Sequence, residues 1–214
     1  MQRNRDAVVQ PPDSDNIGGV SIRGNSCSVE GTDVLLFNGY TKRIEELRAY
    51  TPESMTGDVV MAIDGTPAYV IATYSGTTDL PCIELRVASD SGLHQITVTQ
   101  HHSLMVNHFS MVQAGFLQVG DRLISRTGEA VVRSFRYVAY AGRVWNLYLA
   151  SEGFVERMSK MSPDAVYACR RASLLGLTPK QHMYFANGFC TGDFMIQAEL
   201  VDFYRRGFDV SRFA

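Results

Sequence analysis

The sequence predicts an all-β domain, and two features of the chain carry that prediction. Short apolar runs alternate with Gly, Asp and Asn turns from Val34 onward, and one stretch of the chain recurs later in the sequence. Many short strands at this spacing are typical of barrels and interlocked sheets rather than of βαβ units. At 214 residues, 45% of them hydrophobic, the chain is long enough for one domain with a real core.

The apolar runs predict the positions of the strands. The run at 34–37 ends at Asn38-Gly39 and the run at 59–63 ends at Asp64-Gly65, and both dipeptides are strong hairpin signals. Asn187-Gly188 is a third hairpin signal, flanked by aromatic and apolar residues. The remaining predicted strands lie at 69–74, 83–87, 96–99, 103–106, 122–125, 131–137 and 144–149.

An internal repeat supports the prediction. Gly57-Asp58-Val59-Val60-Met61 matches Gly120-Asp121-Arg122-Leu123-Ile124, and residues 83–89 match residues 145–151. Self-similarity of this kind indicates a duplicated β unit, which we expect to pack about a pseudo-two-fold axis. The alternative is a chance resemblance among β-rich segments.

Two segments have helical patterns, at 163–177 and at 194–204. Residues 1–26 are polar and rich in turn residues, which predicts a flexible leader. We therefore divide the chain into a leader at 1–26, a domain at 27–193 with a helical insert at about 151–181, and a helical tail at 194–214.

Composition argues against several classes of function. The net charge of −2 gives no bulk attraction to nucleic acid or to anionic membranes. There is no apolar run long enough to span a membrane and no signal-peptide pattern. Free thiols in a reducing, cytoplasmic compartment are the expectation for the cysteines, which lack CxxC spacing: Cys27, Cys82, Cys169 and Cys190. We expect a monomer without a cofactor.

Candidate chemistry begins with Cys27, which follows a polar leader and precedes a strand, although a lone Cys is more often a buried small hydrophobe. The second candidate is Thr99-Gln100-His101-His102, where a hydroxyl and an imidazole suited to proton transfer can share one site. A satisfied turn histidine is the alternative. A metal site would require His94, His101, His102 and His108 to converge, and strand alternation places His101 and His102 on opposite faces, so we expect none.

Taken in order, these segments resemble the Hint (Hedgehog/intein) family, of the bacterial intein-like type. Cys27 followed by EGTDVLLFNGYTKRIEEL and GDVV resembles the intein N-terminal motif, and Thr99-Gln100-His101-His102 resembles the Thr-x-x-His motif. FLQVGDRL resembles the next block, and VWNLYL and HMYFANGFCTGD resemble the C-terminal block. The resemblance covers about residues 27–193 and implies a duplicated all-β unit, the Hint fold.

By this resemblance Cys27 is the nucleophile, and its thiol attacks the carbonyl carbon of Ser26 in an N-to-S acyl shift that gives a thioester. His102 would protonate the departing amine, and Thr99 would be a hydrogen-bond donor to the Ser26–Cys27 unit. His182 and Asp193 are the first and last residues of the segment that resembles the C-terminal block, and they complete the implied catalytic set. The substrate is the chain's own N-terminal segment, and the acyl acceptor is water, a thiol or an amine.

Departures from the family pattern limit the implied reaction. Gly192 and Asp193 stand where an intein has its penultimate His and terminal Asn, and Phe194 offers no nucleophile, so N-terminal cleavage without full splicing is expected. Asn146 stands where the family often has an acidic residue. Cys190 could accept the acyl group or form a regulatory disulfide, but a core thiol is favoured. Residues 194–214 are too few for a sterol-recognition region, so cholesterol is not carried over.

Two other functions stay open at this point. An inactive Hint fold that serves as a structural or interaction module would behave alike with and without Cys27. A cysteine hydrolase acting in trans would turn over an added peptide or thioester.

Overall fold

The structure is a computed structural model and describes residues 27–106, 110–162, 165 and 179–197. Antiparallel strands make up about half of this part of the chain. They are β1 Ser28–Val29, β2 Asp33–Leu35, β3 Thr41–Arg43, β4 Val59–Met61, β5 Pro67–Gly76, β6 Cys82–Ser89, β7 Gly92–Val98, β8 Ser103–Val106, β9 Ser110–Gln113, β10 Arg122–Ser125, β11 Gly128–Val138, β12 Val144–Ala150, β13 Met183–Ala186 and β14 Phe189–Gly192. The all-β prediction is confirmed.

The strands form one continuous hydrogen-bonded network in the order β3-β2-β13-β14-β8-β10-β11-β6-β7-β1-β12-β5-β4, with β9 beside β8. Two of its longest ladders join strands that are distant in sequence. β5 pairs with β12 from Tyr69↔Ala150 to Gly76↔Val144, and β6 pairs with β11 from Cys82↔Val138 to Ala88↔Val131. Long strands of the first half of the domain therefore pair with long strands of the second half.

The aspartates of the sequence repeat, Asp58 and Asp121, each accept backbone hydrogen bonds. The carboxylate of Asp58 accepts the Arg48 N–H (2.6 Å), and that of Asp121 accepts the Gln118 N–H (2.7 Å). The carbonyls of the same two residues accept the N–H groups of Val70 and Val132. Asp58 thus holds the chain that precedes hairpin β4–β5 by hydrogen bonds, and Asp121 does the same for hairpin β10–β11. The pseudo-two-fold axis itself stays a prediction.

The hairpin signals lie at turns. Asn187 and Gly188 have φ values of +49° and +81°, the left-handed pair that a two-residue type I′ turn requires, and they connect β13 to β14. Gly39 and Gly65 also have positive φ, each donating to a carbonyl three residues earlier in the turns β2–β3 and β4–β5. β1, β3 and β9 are strands that the apolar pattern did not predict.

The helical segments that the structure describes are short. Helix α1, Glu152–Met158, lies in the predicted insert and begins at Ser151, whose hydroxyl accepts the Phe154 N–H. A second helix begins at Phe194, as predicted. The predicted helix at 163–177 lies outside the described residues apart from Ala165. Within the described residues, 3₁₀ turns cover Ile44–Glu46, Ala114–Phe116 and Pro179–His182. No described helix is long and apolar enough to cross a membrane.

The hairpin β13–β14 separates two parts of the core. Tyr184 and Ala186 pack with Val34, Val60 and Leu147 on one side. Met183, Phe185 and Cys190 pack with Leu35 and Met105 on the other side. Alternate strand residues point to opposite faces, and cross-strand partners share a face. The polar Thr191 is therefore on the same face as Tyr184, its cross-strand partner.

Candidate active site

Cys27 and Thr99 form the part of the site that includes the predicted scissile nitrogen. Cys27 is buried, and its backbone N–H donates to Thr99 Oγ1 at 2.7 Å. The Thr99 hydroxyl donates in turn to the Cys27 carbonyl (3.1 Å), which also accepts the Thr99 N–H (3.0 Å). Thr99 is therefore the acceptor for the Cys27 amide, rather than only a donor as the sequence predicted, and it fixes Cys27 from both sides.

His102 follows in the same turn, which closes with the His102 N–H on the Thr99 carbonyl at 3.1 Å. The imidazole is buried, with Nε2 2.6 Å from Thr191 Oγ1 and Nδ1 3.3 Å from Gln197 Nε2. Thr191 Oγ1 also donates to the Ser103 carbonyl (2.7 Å). A hydroxyl has one proton and a carbonyl only accepts, so Nε2 of His102 must carry the proton that it shares with Thr191.

Asn146 enters the same network through Gln197. The Leu147 N–H donates to Asn146 Oδ1 (2.8 Å), so Asn146 Nδ2 is the atom that donates to Gln197 Oε1 (2.9 Å). Gln197 Nε2 then donates to the Gly192 carbonyl (2.8 Å) and faces His102 Nδ1. These contacts assign both amide orientations and leave Nδ1 of His102 as an acceptor.

Asp193 and His182 form a buried pair, with His182 Nδ1 2.8 Å from Asp193 Oδ2. Asp193 Oδ2 also accepts the Leu149 N–H, and Oδ1 accepts the N–H groups of Met195 and Ile196. Accepting from the second and third N–H of a helix is the work of an N-cap residue. Asp193 therefore begins the helix that carries Gln197, a role that the sequence analysis did not assign.

Gly192 lies where an added side chain would collide with its neighbours. A Cβ atom there would be 2.7 Å from Ile196 Cγ2 and 2.8 Å from Ser103 Oγ. The position that the sequence resemblance aligns with the penultimate His of inteins therefore has no room for a side chain without movement of its neighbours.

Tyr184 brings a polar group that the sequence analysis missed. Its side chain is fully buried, and its hydroxyl has no hydrogen-bond partner among the described residues. Burial, and then the nearby Asp193, Cys27 and Cys190, raise the pKa of the Tyr184 phenol above its ordinary value. The phenol is therefore a neutral O–H donor placed beside the Cys27 and Asp193 region.

Cys190 packs in an apolar cluster, and burial raises the pKa of its thiol to about 12. A thiol that stays protonated at neutral pH is a weak nucleophile, which favours a core role. Cys82 and Cys190 are free thiols.

The histidines of the described chain have separate partners. His94 contacts Ser89 and Ser91, and His101 contacts Gln113, whereas His102 contacts Thr191 and Gln197. Within residues 27–106, 110–162, 165 and 179–197, no group of three or more His, Cys, Asp or Glu side chains could hold a metal ion. His108, Ser26 and Cys169 lie outside the described residues.

The structure thus brings most of the predicted residues into two linked units. Thr99 joins Cys27 to the turn that ends at His102, and Gln197 joins His102 to Asn146. Asp193 joins His182 to the helix that carries Gln197. Thr191, Tyr184 and Gln197 are the polar members that sequence reasoning missed. Strand alternation around the Asn187-Gly188 turn could have paired Tyr184 with Thr191.

Comparisons with known proteins agree with this arrangement at the level of fold. The chain matches no protein-family model and no curated protein sequence. Its structure is similar to the solution structure of a bacterial intein-like domain from Clostridium thermocellum, with a TM-score of 0.54 and 21% identity, over 78% of this chain and 99% of that one.

Two inteins give similar values over 78% of this chain and 99% of theirs. They are the Msm DnaB1 intein splicing domain, solved with bound zinc (TM-score 0.51, 13% identity), and the MchDnaB-1 intein (TM-score 0.51, 16% identity). The chain therefore has the fold of inteins and intein-like domains, the Hint fold that its sequence motifs predict.

Proposed function

We propose that the chain is a self-processing domain that cleaves its own Ser26–Cys27 bond. The Cys27 sulfur forms a bond to the carbonyl carbon of Ser26, the C–N bond breaks, and the Cys27 nitrogen takes up a proton to become an α-amine. The resulting thioester is then hydrolysed by water, or transferred to an added thiol or amine. Hydrolysis leaves a Ser26 carboxylate and a chain that begins at Cys27 with its thiol restored.

The 2.7 Å contact between the Cys27 N–H and Thr99 Oγ1 carries this proposal. The amide nitrogen that must leave is buried and held by a residue of the turn that ends at His102. Positioning of reacting groups lowers the entropic part of a barrier, and a general acid near the leaving amine lowers it further. In this proposal His102 is that acid, and it must acquire a second proton to act.

The C-terminal side supports cleavage without splicing. Gly192 has no imidazole, Asp193 is engaged as a helix N-cap and in the pair with His182, and Phe194 has no nucleophile. A carboxylate that accepts four hydrogen bonds has no amide nitrogen with which to cyclise. The proposed reaction thus ends at the thioester and its hydrolysis or transfer.

The test is the intact mass of the full chain over days at pH 6–9, with and without dithiothreitol, for the wild type, Cys27→Ala, Cys82→Ala and Thr99→Val. We expect a thiol-accelerated product that begins at Cys27 in the wild type and in Cys82→Ala, which removes another buried thiol. Cys27→Ala should give none. Thr99→Val keeps the shape but loses both hydroxyl contacts, and it should slow cleavage about tenfold or more.

An unchanged mass in every sample would reject self-processing and leave the structural module. Turnover of an added peptide without cleavage of the chain would instead indicate a hydrolase acting in trans.

A further inference from the structure

The amide of Gln197 meets the imidazole of His102 from the start of the C-terminal helix. Gln197 lies beyond the segment that resembles the C-terminal block, and its side chain is nearly fully buried. Asn146 Nδ2 at 2.9 Å and the Gly192 carbonyl at 2.8 Å hold it in one orientation. A buried amide with both ends satisfied is a fixed part of the site.

We propose that Gln197 is a positioning residue that holds His102 in the neutral form with Nδ1 unprotonated. The hydrogen bonds run in one direction, from the Leu147 N–H through Asn146, Gln197, His102 and Thr191 to the Ser103 carbonyl. Every donor in this series has an acceptor only while His102 Nδ1 carries no proton, because the Gln197 N–H needs Nδ1 as its acceptor. A proton on Nδ1 would face the Gln197 N–H, and one of the two groups would have to withdraw.

This inference deepens the proposed function, because the acid form of His102 needs the proton that Gln197 opposes. The helix that begins at Asp193 thereby slows cleavage at Cys27, and release of Gln197 from His102 permits it. Among the described residues, the other titratable groups on the elements around His102 are His101 in the same turn, the Cys27 and Cys190 thiols, the Asp193–His182 pair and the Tyr184 phenol. Among them, Asp193 joins the Gln197 backbone directly, since the Gln197 N–H donates to the Asp193 carbonyl (3.1 Å).

The first measurement reads the proton on His102 without any cleavage. The full chain with Cys27→Ala is labelled with ¹⁵N-histidine, and the two ring nitrogens of His102 are followed by NMR from pH 5 to 8, with His102→Gln to assign the signal. We expect Nε2–H with a bare Nδ1 at pH 7 when Gln197 is present. Gln197→Glu, which offers an acceptor in the same place, should bring a proton to Nδ1 at that pH.

Gln197→Met is the matched variant of similar size without a hydrogen bond, and it should allow His102 to protonate at higher pH than the wild type does. Gln118→Glu adds the same charge at an exposed position and should leave His102 unchanged. A wild-type His102 with its proton on Nδ1 would overturn the inference, as would a His102 indifferent to both Gln197 variants in folded protein.

The second measurement is the cleavage rate of the same variants with Cys27 intact. Gln197→Glu should cleave about tenfold faster at pH 8, a fraction of the 10²- to 10⁴-fold that a positioned acid supplies. Its rate should also fall at higher pH than that of the wild type, because the carboxylate stabilises the imidazolium. If His102 responds in the NMR spectra and no variant cleaves, self-processing is rejected while the role of Gln197 in the His102 tautomer stands.

Discussion

Tyr184 is one of the described residues that bury a polar atom without a hydrogen-bond partner. Its hydroxyl is fully buried without a partner among the described residues, and its cross-strand neighbour Thr191 points to the same side, where it contacts His102. An unsatisfied buried hydroxyl costs about 1–3 kcal/mol. A group kept at that cost beside Cys27 is available to donate to the oxyanion of the proposed reaction.

We therefore expect Tyr184→Phe to raise the free energy of unfolding by about 1 kcal/mol and to slow cleavage at least about tenfold. Urea unfolding and the intact-mass assay measure the two effects. Tyr40→Phe makes the same change at an exposed ring and should alter neither. Equal stability and equal rates for Tyr184→Phe and the wild type would mean that the hydroxyl has no role in either.

At the scale of elements, the contact between β14 and the C-terminal helix decides what position 192 can hold. Gly192 ends β14, and the helix that begins two residues later places Ile196 over it. The Ser103 hydroxyl, which has no partner among the described groups, approaches from β8. The packing around position 192 therefore leaves no room for a side chain, including a histidine.

We expect Gly192→Ala to lower the free energy of unfolding by about 1–3 kcal/mol, because overpacking forces its neighbours to move. Ser103→Ala removes one of the colliding atoms together with an unsatisfied hydroxyl. The loss caused by Gly192→Ala should therefore be smaller in a Ser103→Ala background, as a double-mutant cycle by urea unfolding would show. Full additivity would place the strain elsewhere, at Ile196 alone. Gly192→His should not restore any C-terminal step.

At the scale of the molecule, a charged pair joins the neighbouring strands β6 and β11, which come from the two halves of the domain. Glu84 is nearly buried, and its carboxylate accepts from Arg136 Nε at 2.7 Å and from Gln95 Nε2 at 3.0 Å. The hydrogen bond from Arg136 lowers the pKa of Glu84, although burial opposes it. A carboxyl with a lowered folded pKa stabilises the fold above its unfolded pKa of about 4.3, and this stabilisation is lost as the pH falls through the folded value.

Glu84→Gln should therefore lower the melting temperature by about 2 °C at pH 7 and leave it unchanged near pH 2, as calorimetry across that range would show. Glu129→Gln breaks an exposed pair with Arg122 within one hairpin and is the matched control, with a smaller effect expected. A difference that persists undiminished at pH 2 would assign the stabilisation to packing instead of charge.

More of the fold than of the site could be predicted from the sequence. Turn dipeptides such as Asn187-Gly188 and the apolar runs are local signals, and they predicted the long strands and one hairpin beside the site. β3 was missed because Thr41–Arg43 is polar and becomes a strand only through its pairing with β2. Gln197 was missed because its meaning lies in contacts with Asn146, 51 residues away, and His102, 95 residues away. A single polar residue in an apolar helix start has no local pattern that predicts such partners.

The order of the chain also sets when its site can exist. A ribosome delivers Cys27 first, whereas the groups around it come from three later segments: Thr99 and His102, then Thr191 and Asp193, and finally Gln197. β14 must also insert beside β13, β8 and β10 before Thr191 reaches His102. Chains fold from the amino end during synthesis, so the first residue of the site waits for the last. The proposed cleavage at Cys27 therefore requires translation to pass residue 197, so a nascent, unfinished chain is expected to keep its Ser26–Cys27 bond.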